Sequence, residues 1–143
     1  MAITSAVCNT FKTEALRAIH NFTQGGNTFR LALYTSSATI NKSTTAYTTS
    51  NEVANGNGYT TKGIALTNVT PALSGDTAVC DFSNVSFTSA SFTANGCLIF
   101  NDTAANDPSV CAIAFGGDKT VTNGTFTIEF PAADASNAIL RIA

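Results

Sequence analysis

Charged residues are scarce in this sequence. Only 11% of its 143 residues are Asp, Glu, Lys or Arg, less than half the share of about 25% that is usual in globular domains. The seven basic residues are scattered along the chain, and the formal net charge is −2. A nucleic-acid or membrane-surface partner needs a clustered basic patch. We therefore expect neither nucleic acid nor a membrane as a partner.

Tryptophan is absent, and the sequence holds a single histidine and a single methionine. No apolar run approaches the roughly 18 residues that a membrane-spanning helix needs. The start of the sequence also lacks the basic and apolar regions of a secretory signal. These absences predict a soluble protein made in a cytosol.

Cysteine is present but is not arranged for chemistry. The four cysteines are too far apart for the Cys-x-x-Cys pairs of redox and zinc sites. Thiols stay reduced in a cytosol, and free cysteine is among the most frequently buried residue types. We expect four small apolar core residues, with one structural disulfide as the alternative. They are Cys8, Cys80, Cys97 and Cys111.

One segment near the start of the chain has helical periodicity. Its apolar residues, from Val7 to Phe22, recur at spacings of three and four and so share one face. Thr10 can cap such a helix, and Gly25-Gly26 is a typical helix end. The pattern predicts one amphipathic helix over about residues 9–22, which either packs on the core or serves in dimerisation.

Most of the remaining sequence alternates between apolar and polar residues in short runs. Phe29, Leu31 and Leu33 share one face, for example, whereas Arg30 and Tyr34 point away from it. The separators are too short for crossover helices, so the strands must be antiparallel. We predict a single all-β domain over residues 1–143, an antiparallel two-sheet β-sandwich (jelly-roll-like) with one N-terminal α-helix. The predicted strands are residues 28–35, 59–67, 78–82, 85–88, 92–100, 110–115, 125–130 and 138–142.

A polar segment over about residues 36–58 interrupts the alternation. It is rich in Ser, Thr and Asn and ends in an Asn-Gly-Asn-Gly run, whose residues tolerate positive φ. Loops of this length are uncommon in compact domains unless they are functional or disordered. Tyr47 and Val53 argue against a floppy excursion, because a disordered linker has no use for buried anchors. We expect a contact surface here.

No combination of residues is typical of an active site. General acid–base catalysis at neutral pH usually employs histidine, and His20 lies near the predicted helix end, where a structural role is expected. Asp102, Asp107 and Asp118 fall in turns, where carboxylates usually bond nearby backbone N–H groups. Turn formation is therefore a better interpretation of these aspartates than calcium binding.

The other carboxylates of interest are those nearest to strands, namely Asp81, Glu129 and Asp134. A glycosidase would need two of them at a defined separation across a cleft. The more frequent role of such residues is on the polar face of a strand or in its turn. We predict no enzymatic activity, no cofactor and no metal site.

Several segments resemble small virion proteins of tailed bacteriophages. Those proteins share an F-K-x-E-x-L helix, then F-x-L-A-L-Y-T-S-S-A-T, then T-x-A-Y-T-T-x-N-E-V-x-G-x-G-Y. This chain has F-K-T-E-A-L, F-R-L-A-L-Y-T-S-S-A-T, and T-A-Y-T-T-S-N-E-V followed by G-N-G-Y. The similar segments extend over nearly the whole chain, at residues 11–16, 29–39, 45–53, 56–59, 63–68, 96–101, 115–119, 126–131 and 139–142.

The resemblance implies a structural virion protein that is made in the host cytoplasm. We expect a capsid cement or decoration protein that binds the major capsid protein. The alternative is a tail, neck or fibre component, with a receptor- or carbohydrate-binding role. Self-association into a dimer or trimer is expected, because it strengthens many weak symmetric contacts.

The expected partner-binding residues lie in the polar segment and just after it. Aromatic anchors among small polar residues are typical of interfaces. In the alternative interpretation, Tyr47 and Tyr59 cover the edge of the protein's own sandwich. The five residues are Tyr47, Asn51, Glu52, Val53 and Tyr59.

Overall fold

The elements of the fold are eight strands and one short helix, and the computed structural model describes them over residues 2–143. No helix in this part of the chain is long and apolar enough to cross a membrane. The elements are β1 (Ala6–Val7), α1 (Asn9–Leu16), β2 (Phe29–Tyr34), β3 (Ile64–Ala65), β4 (Asn68–Ser74), β5 (Thr77–Phe82), β6 (Val85–Asn101), β7 (Ser109–Ile128) and β8 (Leu140–Ile142).

The strands form two antiparallel sheets. The larger sheet has the order β1-β7-β6-β2-β3, and the smaller sheet has the order β4-β5-β8. Phenylalanine rings pack between the sheets: Phe22 stacks on Phe29 of β2 with ring centroids 4.3 Å apart, and Phe82 of β5 lies 5.8 Å from Phe29. The predicted all-β, two-sheet sandwich with one helix is therefore confirmed. The strand order itself depends on long-range pairing, which periodicity does not encode.

β2 is buried on both faces, although its alternation predicts one exposed face. Leu31 and Leu33 are fully buried as expected, and Tyr34 is fully buried as well. The Tyr34 hydroxyl donates a hydrogen bond to the backbone oxygen of Thr48 at 2.7 Å. Tyr34 lies on the face opposite Leu31 and Leu33, as predicted, but the expectation that this face is exposed is wrong, because a further layer of the protein covers it.

That layer is the polar segment of residues 36–58, which we call the cover segment. The ring of Tyr47 stacks on Phe100 of β6, with centroids 4.7 Å apart. The Val53 backbone N–H donates to the carbonyl oxygen of Leu33 at 2.9 Å. These bonds fasten the cover segment to the larger sheet, so it is not a floppy excursion.

β6 and β7 form one hairpin with strands of 17 and 20 residues. The sequence predicts four separate strands here. Residues 102–108 separate β6 from β7 as predicted, whereas the expected separators at residues 116–118 and 123–124 lie inside β7, at shifts in register. Ser89 and Asn123 have φ of 48° and 47°, and Gly116 has φ of 80°. Turns and bulges both employ positive φ, so the same local residues suit either structure.

α1 is shorter than predicted, since it ends at Leu16 and not near Phe22. Its N-cap residue is Cys8, and Thr10 lies within the first turn. Ala18 has φ of 59°, a left-handed conformation that stops a helix. That conformation costs an alanine about 1–2 kcal/mol, which the packing of the following residues must offset.

Candidate binding surfaces

Glu52 joins the cover segment to the rest of the protein. Its Oε1 accepts a hydrogen bond from the Tyr47 hydroxyl at 2.5 Å. Its Oε2 accepts one from the Tyr59 hydroxyl and one from the Lys62 backbone N–H, both at 2.9 Å. The Tyr59 oxygen in turn accepts the backbone N–H of Leu33 at 2.9 Å. Both oxygens of the carboxylate are thus occupied by groups of the chain itself.

The two phenols around Glu52 remain protonated at neutral pH. Burial raises the pKa of Tyr59, and the neighbouring Glu52 carboxylate raises it further. The same two causes raise the pKa of Tyr47. Each phenol therefore acts as a hydrogen-bond donor to the carboxylate, and the arrangement is structural.

Lys62 lies on the outer side of the same group of residues. Its Nζ is 2.9 Å from Asp107 Oδ2 and 2.9 Å from Asp102 Oδ1, and it lies 5.7 Å from the ring centroid of Tyr47. Hydrogen bonds to Asp107 and Asp102 raise the pKa of Lys62. The two aspartates therefore surround an ammonium group. Asp118, the third aspartate of the calcium interpretation, instead accepts a hydrogen bond from a neighbouring amide.

The five predicted partner-binding residues are placed differently from one another. Val53 and Tyr59 are only 6% and 2% exposed, so the expectation that they are anchors for a partner is corrected. Tyr47 and Glu52 are half-buried, and their polar groups bond to each other. Asn51 alone is exposed, at φ of 61°. The interpretation in which the tyrosines cover the protein's own sandwich describes their placement.

His20 belongs to a buried network with Asn101. Asn101 Oδ1 accepts the backbone N–H groups two and three positions along the chain, which sets the orientation of its amide. Its Nδ2 therefore donates, to Asn27 Oδ1 at 3.0 Å and to His20 Nδ1 at 3.1 Å. Because Nδ1 accepts, the proton of the neutral ring is on Nε2, which lies 3.1 Å from Glu14 Oε1. His20 holds the end of the helical region against the larger sheet.

The three carboxylates nearest to strands, Asp81, Glu129 and Asp134, have different environments. Asp81 is 2% exposed, and its Oδ1 accepts the backbone N–H of Phe82 at 2.8 Å. Burial raises the pKa of Asp81. Asp134 accepts hydrogen bonds within its own turn, chiefly from Asn137, which lower its pKa, and Glu129 is exposed. Among the described residues, no group of three or more His, Cys, Asp or Glu side chains is arranged to hold a metal ion.

All four cysteines are buried free thiols. Burial raises the pKa of Cys80 and of Cys97 to about 12. A thiol with such a pKa holds almost no thiolate at neutral pH, and the thiolate is the reactive form. The cysteines are placed as small apolar residues, and the structure has no disulfide in the part of the chain it describes.

An open cleft of about 760 Å³ lies between α1 and the smaller sheet. Phe11 and Ala15 line it from the helix, and Leu140 lines it from β8. Leu16 and Ile142 flank it and are 91% and 74% exposed. Two large aliphatic side chains at the sides of an apolar cleft form the kind of surface that binds a partner.

The sequence contained one signal for this cleft. The apolar face of the predicted helix includes Phe11 and Ala15 but leaves Leu16 outside it. A leucine that no helical face accounts for is a candidate for a contact outside the core. The role of Ile142 was not recognisable, because its strand reads as an ordinary buried strand.

Comparison of the chain with protein family models, with curated proteins and with solved structures found no match.

Proposed function

We propose that this chain is a structural protein of a tailed-phage particle, which binds the shell of major capsid protein as a cement or decoration subunit. The proposal combines the resemblance of its sequence segments to small virion proteins with the surface of the fold. It assigns the protein to the virion and gives it no catalytic activity.

The observation that carries the proposal is the open apolar cleft beside α1. Leu16 and Ile142 expose apolar surface on opposite sides of it. A chain that works alone gains free energy by burying such side chains, at about 25 cal/mol for each Å² of apolar surface removed from water. Their exposure supports a binding role, because a partner can remove this surface from water.

The cover segment supports a structural role in a second way. Its residues include the whole T-A-Y-T-T-S-N-E-V segment by which the chain resembles virion proteins. In the structure, Tyr47 of this segment stacks on Phe100 of β6 and Glu52 accepts a hydrogen bond from Tyr59, and these contacts hold the segment on the sheet. The shared residues thus have a use in shaping the subunit, which suits a protein whose function is assembly.

A tail, neck or fibre component with a carbohydrate-binding role is the second candidate. The outward face of the β6–β7 hairpin carries paired hydroxyls, with Ser86 and Thr127 oxygens 2.9 Å apart and Thr93 and Thr120 oxygens 2.8 Å apart. A row of hydroxyls can exchange hydrogen bonds with sugar hydroxyls. This face favours the second candidate, whereas the apolar cleft favours a protein partner.

Cryo-electron microscopy of purified particles that contain this protein tests the proposal. We expect many copies in icosahedral arrangement over the shell, each touching the major capsid protein. The ratio of its gel band to that of the major capsid protein gives an independent copy number. A few copies confined to one vertex would contradict the decoration role and support the tail or neck alternative.

A further inference from the structure

The smaller sheet has one protected edge and one open edge. At the β4 edge, Pro71 has no N–H to donate, and the register shifts between Val69 and Ala72. The Gln24 backbone N–H also donates to the Thr70 hydroxyl beside it, at 2.9 Å. Proline, bulges and covering loops are the features that prevent a strand from pairing further.

Within residues 2–143, the β8 edge has no proline, no bulge and no covering loop. Among these residues β8 pairs only with β5, from Ala78 opposite Ile142 to Cys80 opposite Leu140. Its three residues include no proline, and the pairing has no register shift. An edge strand without proline or bulge presents backbone N–H and C=O groups to an additional strand.

The open edge borders the apolar cleft. Ile142 lies opposite Ala78 in the sheet, and both line the cleft together with Ala15 of the helix. The small side chains on two sides leave room between the helix and the sheet. A strand added beside β8 would therefore place alternate side chains toward an apolar space while its backbone pairs with the sheet.

The charges around the cleft are of one sign. Lys12 and Arg141 both line it, and no Asp or Glu side chain does, although acidic residues outnumber basic ones by nine to seven in the chain. The Arg141 guanidinium donates to two loop carbonyls, from Nη1 at 3.2 and 2.9 Å, and its other N–H groups have no hydrogen-bond acceptor among the described residues. Asp134, a nearby carboxylate, bonds to its own turn through Asn137.

We propose that β8 and the adjoining cleft bind an extended segment of a partner protein by strand addition, and that this segment alternates apolar residues with carboxylates. The apolar side chains fill the cleft beside Ile142 and Leu16, and a carboxylate lies near Lys12 and Arg141. We take this segment to belong to the major capsid protein, and in this respect the inference rests on the proposed function.

A second copy of this chain fits the site less well. Antiparallel pairing of two β8 strands about a two-fold axis brings Arg141 of one copy close to Arg141 of the other. Like charges directly opposite each other destabilise an antiparallel pair. The cleft also holds no acidic side chain that could face the Lys12 of a second copy. Charge complementarity therefore favours a different, acidic segment.

The probe for this proposal is a short synthetic peptide in which valine alternates with glutamate, and its binding to the full chain is measured by fluorescence anisotropy. We expect saturable binding, and binding at least about tenfold weaker for a peptide in which lysine replaces glutamate, since two cations lie at the cleft. Ile142→Glu and Leu16→Glu should each weaken binding about tenfold or more, because each removes an aliphatic contact that the bound peptide would bury.

Leu73→Glu is the matched control. Leu73 is 74% exposed, as Ile142 is, but it lies on β4 at the protected edge. This variant should bind the peptide within about twofold of the original chain. Since all three leucine and isoleucine positions are exposed, the substitutions should leave the fold intact, which circular dichroism checks.

Three outcomes would overturn the proposal. The first is no binding of the valine–glutamate peptide, and the second is equal loss of binding in Ile142→Glu and Leu73→Glu. The third is self-association in sedimentation experiments that Ile142→Glu abolishes, which would make a second copy the occupant. None of these outcomes depends on where the protein lies in a particle. A low copy number on the shell would therefore contradict the decoration role without contradicting peptide binding at β8.

Discussion

Asn101 and Asp81 are both buried polar residues, but their environments differ. Every polar atom of the Asn101 amide has a hydrogen-bond partner within the chain. Asp81 Oδ1 accepts one backbone N–H, whereas its Oδ2 is buried and has no partner among the described atoms. A buried group without partners costs free energy, so the two residues should respond differently to pH and to substitution.

Glu52→Gln tests the hydrogen bonds that hold the cover segment. A glutamine side chain has one carbonyl oxygen, so it cannot accept all three hydrogen bonds from Tyr47, Tyr59 and the Lys62 backbone. We expect the free energy of unfolding in urea to fall by about 1–3 kcal/mol. Glu129→Gln, at an exposed carboxylate, should change it by less than about 0.5 kcal/mol. Equal stabilities for the two variants would contradict the role of Glu52.

The raised pKa of Asp81 predicts a pH dependence of stability. A carboxyl whose pKa is higher in the folded state than in the unfolded state binds its proton more tightly when folded. Relative to Asp81→Asn, the original chain should therefore lose free energy of unfolding as the pH rises from 3.8, the ordinary pKa of an aspartate, through the raised pKa. Urea unfolding across this pH range measures the difference.

Asp134 provides a control of opposite sign. Its hydrogen bonds lower its pKa, so its contribution is present above the ordinary value of 3.8 and is lost as the pH falls through the lowered value. Relative to Asp134→Asn, the original chain should become less stable on acidification. If the stability of the chain changed with pH in the same direction relative to both variants, burial of Asp81 would not be the cause of its pH dependence.

Among the elements of the fold, the cover segment depends on a close backbone contact at its exit. Gly63 has φ of 71°, and a Cβ atom there would lie 1.8 Å from the carbonyl oxygen of Leu31. Only glycine allows the chain to pass β2 at this distance and pair as β3. The approach fixes where the chain rejoins the larger sheet after the cover segment.

Gly63→Ala should therefore destabilise the protein by about 3 kcal/mol or more, or prevent folding. Gly116→Ala is the matched control, since Gly116 also has positive φ but its Cβ would meet nothing within 4 Å. The Gly116→Ala substitution should lower the free energy of unfolding by only about 1 kcal/mol, because only the left-handed backbone conformation disfavours alanine there. Thermal unfolding of both variants gives the comparison, and similar losses for the two would contradict the importance of the close approach.

The sequence predicted elements well where periodicity alone decides, as in β2 and β5. It failed where one local signal has two structural uses. Gly116-Gly117 in β7 has the residues of a turn, yet the strand continues through it as a bulge. Likewise, the apolar residues after Leu16 continue the helical spacing and so predicted a longer helix. The helix ends at Leu16, because the chain must leave the helical path to bury His20 beside Asn101.

The proposed binding surface was less predictable than the fold, because exposure depends on the whole molecule. Val53 and Tyr59 were interpreted as interface anchors in and beside a polar stretch, but in the folded chain both side chains are buried. Leu16 and Ile142 are far apart in the sequence and flank one cleft only after the helix and the smaller sheet are assembled. No local pattern encodes that proximity.

The four thiols test the cooperativity of the whole molecule. They lie on separate elements, Cys8 before α1, Cys80 in β5, Cys97 in β6 and Cys111 in β7, and all are buried. We expect no reaction with a thiol reagent within minutes in native buffer, and reaction of all four in concentrated denaturant. Rapid modification of one thiol in the native protein would contradict this packing and would identify an element that opens by itself.

The hydroxyl face of the β6–β7 hairpin and the β8 cleft should differ in how their contacts with a partner depend on salt concentration. The paired groups of the hydroxyl face are uncharged, as at Thr93 and Thr120, whereas the β8 cleft carries Lys12 and Arg141. Interactions between exposed charges weaken as ionic strength rises, because the Debye length shortens from about 30 Å at 0.01 M to about 3 Å at 1 M. Contacts made through the hydroxyl face should therefore keep their strength in concentrated brine, while contacts at the cleft that depend on a carboxylate lose part of theirs.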